Sequence, residues 1–415
     1  MEKIKPSKKA LDFLEWEIGG FFHFGIRTFF EGHKDWDGKP MPLSGFNPTQ
    51  LDCENWISQV KAAGGRYAIL VCKHHDGFAN WPSNYSEYHV GLTPWKDGKG
   101  DVVQEFVDAC RKYDVKVGLY YSPAEMGVTQ RTKEEHDEYF INQISELLSD
   151  YGKIDYLWFD GCGSEGHEYD QERIVKTIRS LQPDILIFNM WDPDTRWSGN
   201  EAGIGGVKNV NQVSALDFSA LTGEEKDFLE DTRFLPTECN FMMRDRNWFY
   251  SEYDVNTVKS LEELVGLYYY SIGCGGTMLI NIGPDRRGLL PEVDAERLVE
   301  FGAEIKRRFA NPIPSILKER EDGIAIAFDG ETFVNHVVLT EDLTEGESVQ
   351  AFEILAGGGL LYRPVCVHTG MAIGRKRIVR FPYVRASEII VKVTEANGSY
   401  KLGKPEAFLI DTDSN

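Results

Sequence analysis

Five short apolar runs in this chain each deliver reactive side chains at their C-terminal ends. The first carries His23, the second ends in Lys73-His74-His75-Asp76-Gly77-Phe78, and the third in Tyr120-Tyr121. The fourth ends in Asp160, within Trp158-Phe159-Asp160-Gly161, and the fifth leads to Asn189, Trp191 and Asp192. Two chemistries fit that set. His23, His74, His75 and Asp160 could bind a divalent metal that activates water. The same residues could surround a sugar, with imidazoles meeting its hydroxyls and aromatic rings covering its apolar face. Phe78, Trp81, Tyr85, Trp95, Tyr121, Trp158, Trp191, Trp197 and Trp248 supply more rings than a metal site needs, which tilts the balance toward sugar.

Glycoside hydrolysis uses two carboxyl groups. In a retaining enzyme one attacks the anomeric carbon, and the other protonates the leaving oxygen and then activates water, from roughly 5–5.5 Å away. Asp160 suits the nucleophilic role, with a short side chain at the end of a buried strand, beside a glycine that leaves room. It has to be ionised, so neighbouring histidines and hydroxyl donors are expected to hold its pKa down. For the second carboxyl, Glu201 lies in Arg196-Trp197-Ser198-Gly199-Asn200-Glu201, Glu238 in Leu235-Pro236-Thr237-Glu238-Cys239, and Glu165 and Glu168 follow Asp160 closely. Loop carboxylates are commonly just solvated, and Asp160 itself could cap a turn. Cys162, beside Asp160, would need a base and an electropositive setting to act as a nucleophile.

The elements that must position these residues show in the apolar periodicity. Strands are expected at Gly19 to Phe29, Tyr67 to Lys73, Val115 to Tyr121, Ile154 to Phe159 and Ile185 to Asn189. Helices are expected at Leu51 to Ala63, around Val102 to Cys110, at Glu134 to Ser149 and at Gln171 to Ser180. Five consecutive βα units without a GxGxxG turn predict a (β/α)8-like TIM barrel, whose post-strand loops build the active-site face. Asn200 to Asn211 reads as a long glycine-rich loop, Phe234 to Met242 and Thr277 to Ile282 as later strands, and Val258 to Tyr270 and Glu292 to Phe309 as helices. After Asn311-Pro312 the texture becomes short alternating runs, at Ile324 to Phe328, Phe333 to Leu339, Val349 to Leu355, Val365 to His368, Arg377 to Tyr383 and Glu388 to Thr394. This predicts a catalytic domain over residues 1–312 and an all-β sandwich over 313–415.

Composition narrows the partners. A chain of 415 residues with 42% hydrophobic content can bury a large core, and 66 acidic against 45 basic residues give a formal charge of -21. Such a field repels phosphate backbones and anionic membranes, so no nucleic-acid partner is expected. No stretch reads as a membrane-inserted helix. Seven scattered cysteines form no zinc-finger or paired spacing. Met1 to Lys9 is basic but runs into the charged Leu11 to Glu15, unlike a signal-peptide core. A cytoplasmic location is expected if Met1 is native, and a periplasmic or secreted one if a signal peptide has been removed.

Phe46-Asn47-Pro48-Thr49-Gln50, Lys73 to Phe78, Gly118-Leu119-Tyr120-Tyr121-Ser122, Trp158 to Gly161 and Leu279-Ile280-Asn281-Ile282-Gly283-Pro284 occur in this order. Together they strongly resemble the α-L-fucosidases of glycoside hydrolase family 29 over roughly residues 15 to 310. The resemblance implies a retaining double displacement in a barrel followed by a β-sandwich, with Asp160 as nucleophile. It implies a fucose pocket of His23, His74, His75 and Tyr121, with Trp81 and Trp248 as further pocket residues, and chemistry that needs neither metal nor other cofactor. Pro94 to Asp101, Arg196 to Glu201 and Pro284 to Gly288 look like the branch that cleaves α-1,3 and α-1,4 linked fucose from branched glycans. In that branch Glu201 matches the acid/base, which leaves Glu238, a candidate from its local sequence alone, as runner-up, and Asp192 matches a contact to a neighbouring galactose. Gly374-Arg375-Lys376-Arg377 resembles part of that branch's galactose-binding-like sandwich. Leu235 to Trp248 departs from the branch pattern, with Asn247 in place of a glycine. The expected partner is therefore a fucosylated oligosaccharide or glycoconjugate. The alternatives are a fucosidase of broader linkage range, a TIM-barrel metallohydrolase, and a glycan-binding protein without turnover. The sequence sets no oligomeric state.

Overall fold

The computed structural model describes residues 2–32, 39–125, 131–164, 166–217 and 224–411; Glu165 lies outside them. The chain opens with α1 (Lys8–Leu14) and then alternates: β1 (Ile18–Phe22), α2 (Cys53–Ala62), β2 (Tyr67–Lys73), α3 (Val102–Lys112), β3 (Lys116–Tyr121), α4 (Lys133–Ser149), β4 (Tyr156–Phe159), α5 (Gln171–Leu181) and β5 (Leu186–Phe188). The short β6 (Arg196–Trp197) and a hairpin of β7 (Gln212–Leu216) and β8 (Asp227–Phe234) come next. β9 (Thr237–Met242), α6 (Leu261–Tyr270), β10 (Thr277–Asn281) and α7 (Glu292–Phe309) complete this part.

Eight strands run in the order β5-β4-β3-β2-β1-β10-β9-β6, all parallel. A bridge between Phe188 and Thr195 brings the two ends together, so the sheet is a nearly closed TIM barrel. Every residue of β2 is buried, as a strand covered on both faces requires. Helix starts are fixed by side chains that satisfy free N–H groups. Asp52, Asp101 and Asp170 accept from the third residue of α2, α3 and α5, and Thr132 forms a reciprocal capping box with Glu135 at α4.

Two cores follow from the period-two alternation of the strands. Phe21, Tyr67, Ile69, Val71, Tyr120, Tyr156, Trp158, Phe188 and Leu279 fill the barrel interior, with Phe13 and Trp16 of the first segment packed against them. Phe22, Leu70, Cys72, Leu119, Tyr121 and Phe159 face the helices instead. The interior is therefore aromatic and solid, and the polar strand ends sit above it.

The expected first strand is shorter than the sequence suggests. It ends at Phe22, and Ile26–Phe29 turns into a single 3-10 segment. The stretch expected as one strand from Phe234 divides at Leu235-Pro236 into the end of β8 and the start of β9.

Beyond α7 the chain forms a β-sandwich unit. Its strands are β11 (Ser315–Arg320), β12 (Gly323–Leu339), β13 (Val349–Gly358), β14 (Leu361–Met371), β15 (Arg377–Ala396) and β16 (Glu406–Phe408). They pair antiparallel in the order β11-β12-β15-β13-β14, with β16 on β12. Two pairs of expected strands are each one long strand. β12 and β15 run through register breaks at Ala327/Thr332 and Val334/His336 rather than stopping, around a core that includes Ile326, Val337, Ile354, Ile389 and Val391. The basic run before β15 faces the barrel: Arg375 pairs with Glu15 and Lys376 with Glu17. No helix among the described residues is long and apolar enough to cross a membrane.

Candidate active site

The C-terminal ends of β1, β2 and β4 place His23, His74, His75 and Asp160 around one cleft of about 370 Å³, and Asn281, at the end of β10, is buried beside His23. Phe21, Tyr120, Trp158, Trp248 and Phe249 line it, with Arg27, Cys162, Glu201, Asn240, Arg246 and Tyr250. Asp76-Gly77 turns the chain just after the paired histidines. Gly77 has φ +81° and donates to the His74 carbonyl at 3.0 Å, a conformation that L side chains resist.

Asp160 is the most heavily supported group. Its Oδ2 accepts from the Tyr120 hydroxyl at 2.7 Å and lies 3.4 Å from His75 Nε2, while Oδ1 accepts from the Cys162 amide at 3.0 Å. Burial alone would raise its pKa. The His75 charge and these hydrogen bonds outweigh burial and hold the carboxyl well below the usual carboxylate range.

His75 is held as an imidazolium by both of its nitrogens. The Ser122 hydroxyl donates to the Ala124 carbonyl at 3.0 Å, so toward His75 Nδ1, 2.6 Å away, it can only accept. Nδ1 therefore carries a proton, and Nε2–H faces the carboxylate. Burial opposes that charge, but Asp160 overcomes it and pushes the pKa up to about 10.

His23 has the opposite state. Asn281 donates its amide N–H to the Trp248 carbonyl at 2.8 Å, which turns Oδ1 toward His23 Nδ1 at 2.7 Å. Burial, assisted by His74, lowers the His23 pKa well below its ordinary value. The ring is neutral, and its Nε2 lone pair can accept from a substrate hydroxyl. His74 packs at 4.3 Å from His75 and stacks on Tyr120 at 5.7 Å, ring centroid to centroid. The stack continues through Trp158 (5.2 Å) to Phe188 (4.2 Å).

Glu201 stands on the cleft wall, exposed, and accepts from the Trp248 side chain. Partial burial and the nearby Asp160 charge both raise its pKa. The two carboxyls of one cleft are thus driven apart, Asp160 down and Glu201 up, which is the division of labour that an ionised nucleophile and a protonated acid require.

Five sequence-selected residues lie elsewhere. Tyr121 faces out of the barrel, fully buried, and donates to Gln143 Oε1 at 2.7 Å. Successive strand residues alternate faces, so its neighbour Tyr120 enters the cleft instead. Trp81 is 2% exposed and donates its indole N–H to Glu146 at 3.0 Å, a packing role behind the strands. Asp192 is held by Arg179 at 2.9 Å and Arg233 at 2.9 Å, and does not line the cleft. Glu238 is wholly buried under the cleft floor. Trp158 Nε1–H donates to it at 2.8 Å and the Tyr67 hydroxyl at 3.0 Å, and burial pushes its pKa up to about 7. Glu168 is exposed and pairs with Lys133.

Ser122 and Asn281 were missed as participants. Both sit inside quoted motifs, but a serine and an asparagine at strand ends carry no signal until their partners are placed. His74, His75 and Asp160 also present donor atoms within 4.8 Å of one another, a spacing that could hold a metal ion. With one proton on each ring nitrogen, His75 has no lone pair for a cation in this arrangement.

A family model described as alpha-L-fucosidase matches residues 2–308. The chain is 30% identical to "Alpha-L-fucosidase 1" of Arabidopsis thaliana, in an alignment that covers 92% of this chain and 83% of that protein. Against several other curated relatives it spans little more than half of their length. Among solved structures, a glycoside hydrolase 29 family member from an unknown rumen bacterium superposes with a TM-score of 0.88 at 30% identity, covering 99% of this chain and 79% of that one. A Ruminococcus gnavus GH29 fucosidase in complex with fucose shares the fold, with a TM-score of 0.86 at 24% identity over 99% of this chain and 96% of the other.

Proposed function

We propose that this chain, which belongs to the α-L-fucosidase family of glycoside hydrolases, releases terminal α-L-fucose by a retaining double displacement, with Asp160 as nucleophile and Glu201 as acid/base. The observation that carries the reading is the pair of unlike carboxyls in one cleft. In the first step an Asp160 oxygen attacks the anomeric carbon while Glu201 gives its proton to the departing glycosidic oxygen. In the second, Glu201 takes a proton from water, water attacks the same carbon, and Asp160 leaves as a carboxylate. His23, through its Nε2 lone pair, receives a fucose hydroxyl, and Trp248 covers an apolar edge of the ring.

The mechanism is tested by the anomer first released, followed by NMR. Retention gives α-L-fucose, and initial release of the β anomer refutes the double displacement. The assignment is tested by azide. Asp160→Gly is expected to lose turnover and regain part of it with azide, forming a β-fucosyl azide by a single inversion. Glu201→Ala should give the α-configured azide, formed by attack on the fucosyl-enzyme, and the reverse pairing would exchange the two roles.

For linkage we propose α-1,3 and α-1,4 fucose on branched glycans, a reading supported by the segments around Trp95, Trp197 and Arg286. Fucose release from a branched Lewis-type glycan but not from a linear 2′-fucosylated one is the expected result. Equal release, or preference for the linear glycan, refutes it. The 4.8 Å donor cluster motivates the metallohydrolase as a second reading. It predicts that prolonged chelation abolishes turnover and a divalent ion restores it, whereas the fucosidase mechanism predicts unchanged rates.

A further inference from the structure

We propose that the C-terminal sandwich is a working part of the active site, in which Glu347 and Arg377 act as positioning residues for the loop that carries Glu201. The inference rests on the proposed acid/base role of Glu201.

Residues 198–211 join β6 to β7 and contain no regular element. Near Glu201 the loop is closed on itself by Asn200. Its Oδ1 accepts from the Ala202 amide (3.1 Å) and the Ile204 amide (3.3 Å), and its Nδ2 donates to the Ile204 carbonyl (2.8 Å). The barrel holds this half at two backbone points, an Ala202–Phe241 bridge and a Gly205 N–H to Tyr270 carbonyl bond of 2.9 Å.

The other half is held by the sandwich. Arg377 Nη1 donates to the Val207 carbonyl at 3.2 Å. Glu347 accepts from the Asn211 amide N–H at 2.8 Å and from its side-chain nitrogen at 3.1 Å. Both holding side chains are more than nine-tenths buried. Arg377 is itself fixed, since its Nε donates to the Ala372 carbonyl at 3.0 Å and the Ile378 amide to the Gly273 carbonyl at 2.9 Å. Arg196, at the loop entrance, donates to Asn209 Oδ1 at 2.8 Å and to the Val210 carbonyl at 3.0 Å, so entrance and exit form one stem. That stem is clamped from the sandwich side by Glu347 and Arg377.

Glu201 needs such a clamp more than Asp160 does. Asp160 follows directly from a barrel strand and receives hydrogen bonds on both oxygens. Glu201 is exposed and its carboxyl is met, among the described residues, by the Trp248 side chain alone, so its placement is set mainly by the loop backbone. A general acid must reach the leaving oxygen within hydrogen-bond distance, and a displacement of about 1 Å can cost on the order of a hundredfold.

A purely structural role would lower activity toward every substrate alike. Misplacement of the acid would not, because a leaving group that departs unaided does not need it. The test compares Glu347→Gln and Arg377→Lys with the unaltered protein on two aryl α-L-fucosides, chloronitrophenyl and phenyl. Their rate ratio is independent of the folded fraction. Expected is a kcat/KM within about twofold for the chloronitrophenyl fucoside and a loss on the order of tenfold for the phenyl fucoside, in whichever variants fold; Arg377→Lys, which keeps the charge, decides alone if Glu347→Gln does not. An unchanged ratio in the folded variants overturns the inference when Glu201→Gln raises the ratio. An unchanged ratio in Glu201→Gln overturns the acid/base assignment instead.

Discussion

Tyr120→Phe removes one hydroxyl from the cleft and leaves the ring that stacks between His74 and Trp158. The lost bond is short, 2.7 Å, and its acceptor is a charged Asp160 oxygen. Hydrogen bonds to charged groups are worth about 1.5–3 kcal/mol, and each pKa unit is about 1.36 kcal/mol, so the Asp160 pKa rises by roughly 1–2 units. Its titration then moves toward the ordinary carboxylate range, and the acid limb of kcat/KM follows it upward. The two chemical steps respond differently. In the second step charge returns to the departing Asp160 oxygen. If about half has returned at the transition state, about half of the bond energy is lost there, slowing that step roughly 4- to 13-fold. Attack by a less solvated carboxylate in the first step is not slowed, so the fucosyl-enzyme accumulates. Stopped-flow with an aryl fucoside should therefore show a larger burst of aryl alcohol before a slower steady state. Tyr121→Phe is the control. It loses a buried neutral bond to Gln143, worth about 1 kcal/mol, and should lower the melting temperature without changing the burst or the pH profile. A burst and a pH shift in Tyr121→Phe, with neither in Tyr120→Phe, would refute the placement of the two tyrosines.

Three further outcomes follow from the same geometry. Glu201→Gln should abolish the alkaline limb of kcat/KM for a substrate that needs protonation, because the raised Glu201 pKa sets the pH at which the acid is lost; an unchanged limb assigns it to another group. Ser122→Ala removes the acceptor of the His75 Nδ1 proton. With an aryl fucoside that departs unaided, the alkaline fall associated with His75 should move down from about pH 10 by roughly 1–2 units, and Ser122→Thr should restore it; a profile unmoved by Ser122→Ala counts against the imidazolium. Glu238 tests stability. Its folded pKa of about 7 lies above the unfolded value of about 4.3, so the native state binds more protons in that interval. Stability then falls as pH rises through the interval, by about 3–4 kcal/mol from this group alone. Glu347, also near 7, acts in the same direction. Glu238→Gln should flatten the decline in melting temperature between pH 5 and 8 without removing it, and a slope identical to the parent would show that Glu238 is ionised in the fold.

The barrel was legible because it is built from local signals. Strands buried on both faces leave apolar runs, and their reactive residues fall at run ends. α7 and β2 were placed to the residue. What escaped was direction. Tyr120 and Tyr121 are equally good sequence candidates, and only the register of β3 against β2 and β4 decides which one faces inward. Trp81 looked like a sugar platform because indoles cover sugars, yet its partner Glu146 is 65 positions away on α4. The pairing of Asp192 is hidden in the same way, since Arg233 arrives from a hairpin that no local pattern ties to it. In the sandwich, β12 and β15 were each divided in two because polar residues at their register breaks resemble turns.

The unlike carboxyls also explain how one glutamate can serve as acid and then as base. Part of what raises the Glu201 pKa is the charge on Asp160. Under the proposed displacement, Asp160 becomes an ester in the intermediate and that charge disappears. The Glu201 pKa then falls toward its ordinary value at the moment when it must be ionised to activate water. When water completes the second step, the Asp160 charge returns and favours reprotonation of Glu201. Each step thereby sets the protonation state that the next one needs, through a coupling between two side chains of one cleft. A strand-fixed nucleophile and a loop-borne, solvent-reached partner suit this cycle. The first must keep its geometry through covalent change, and the second must exchange a proton with water at every turnover.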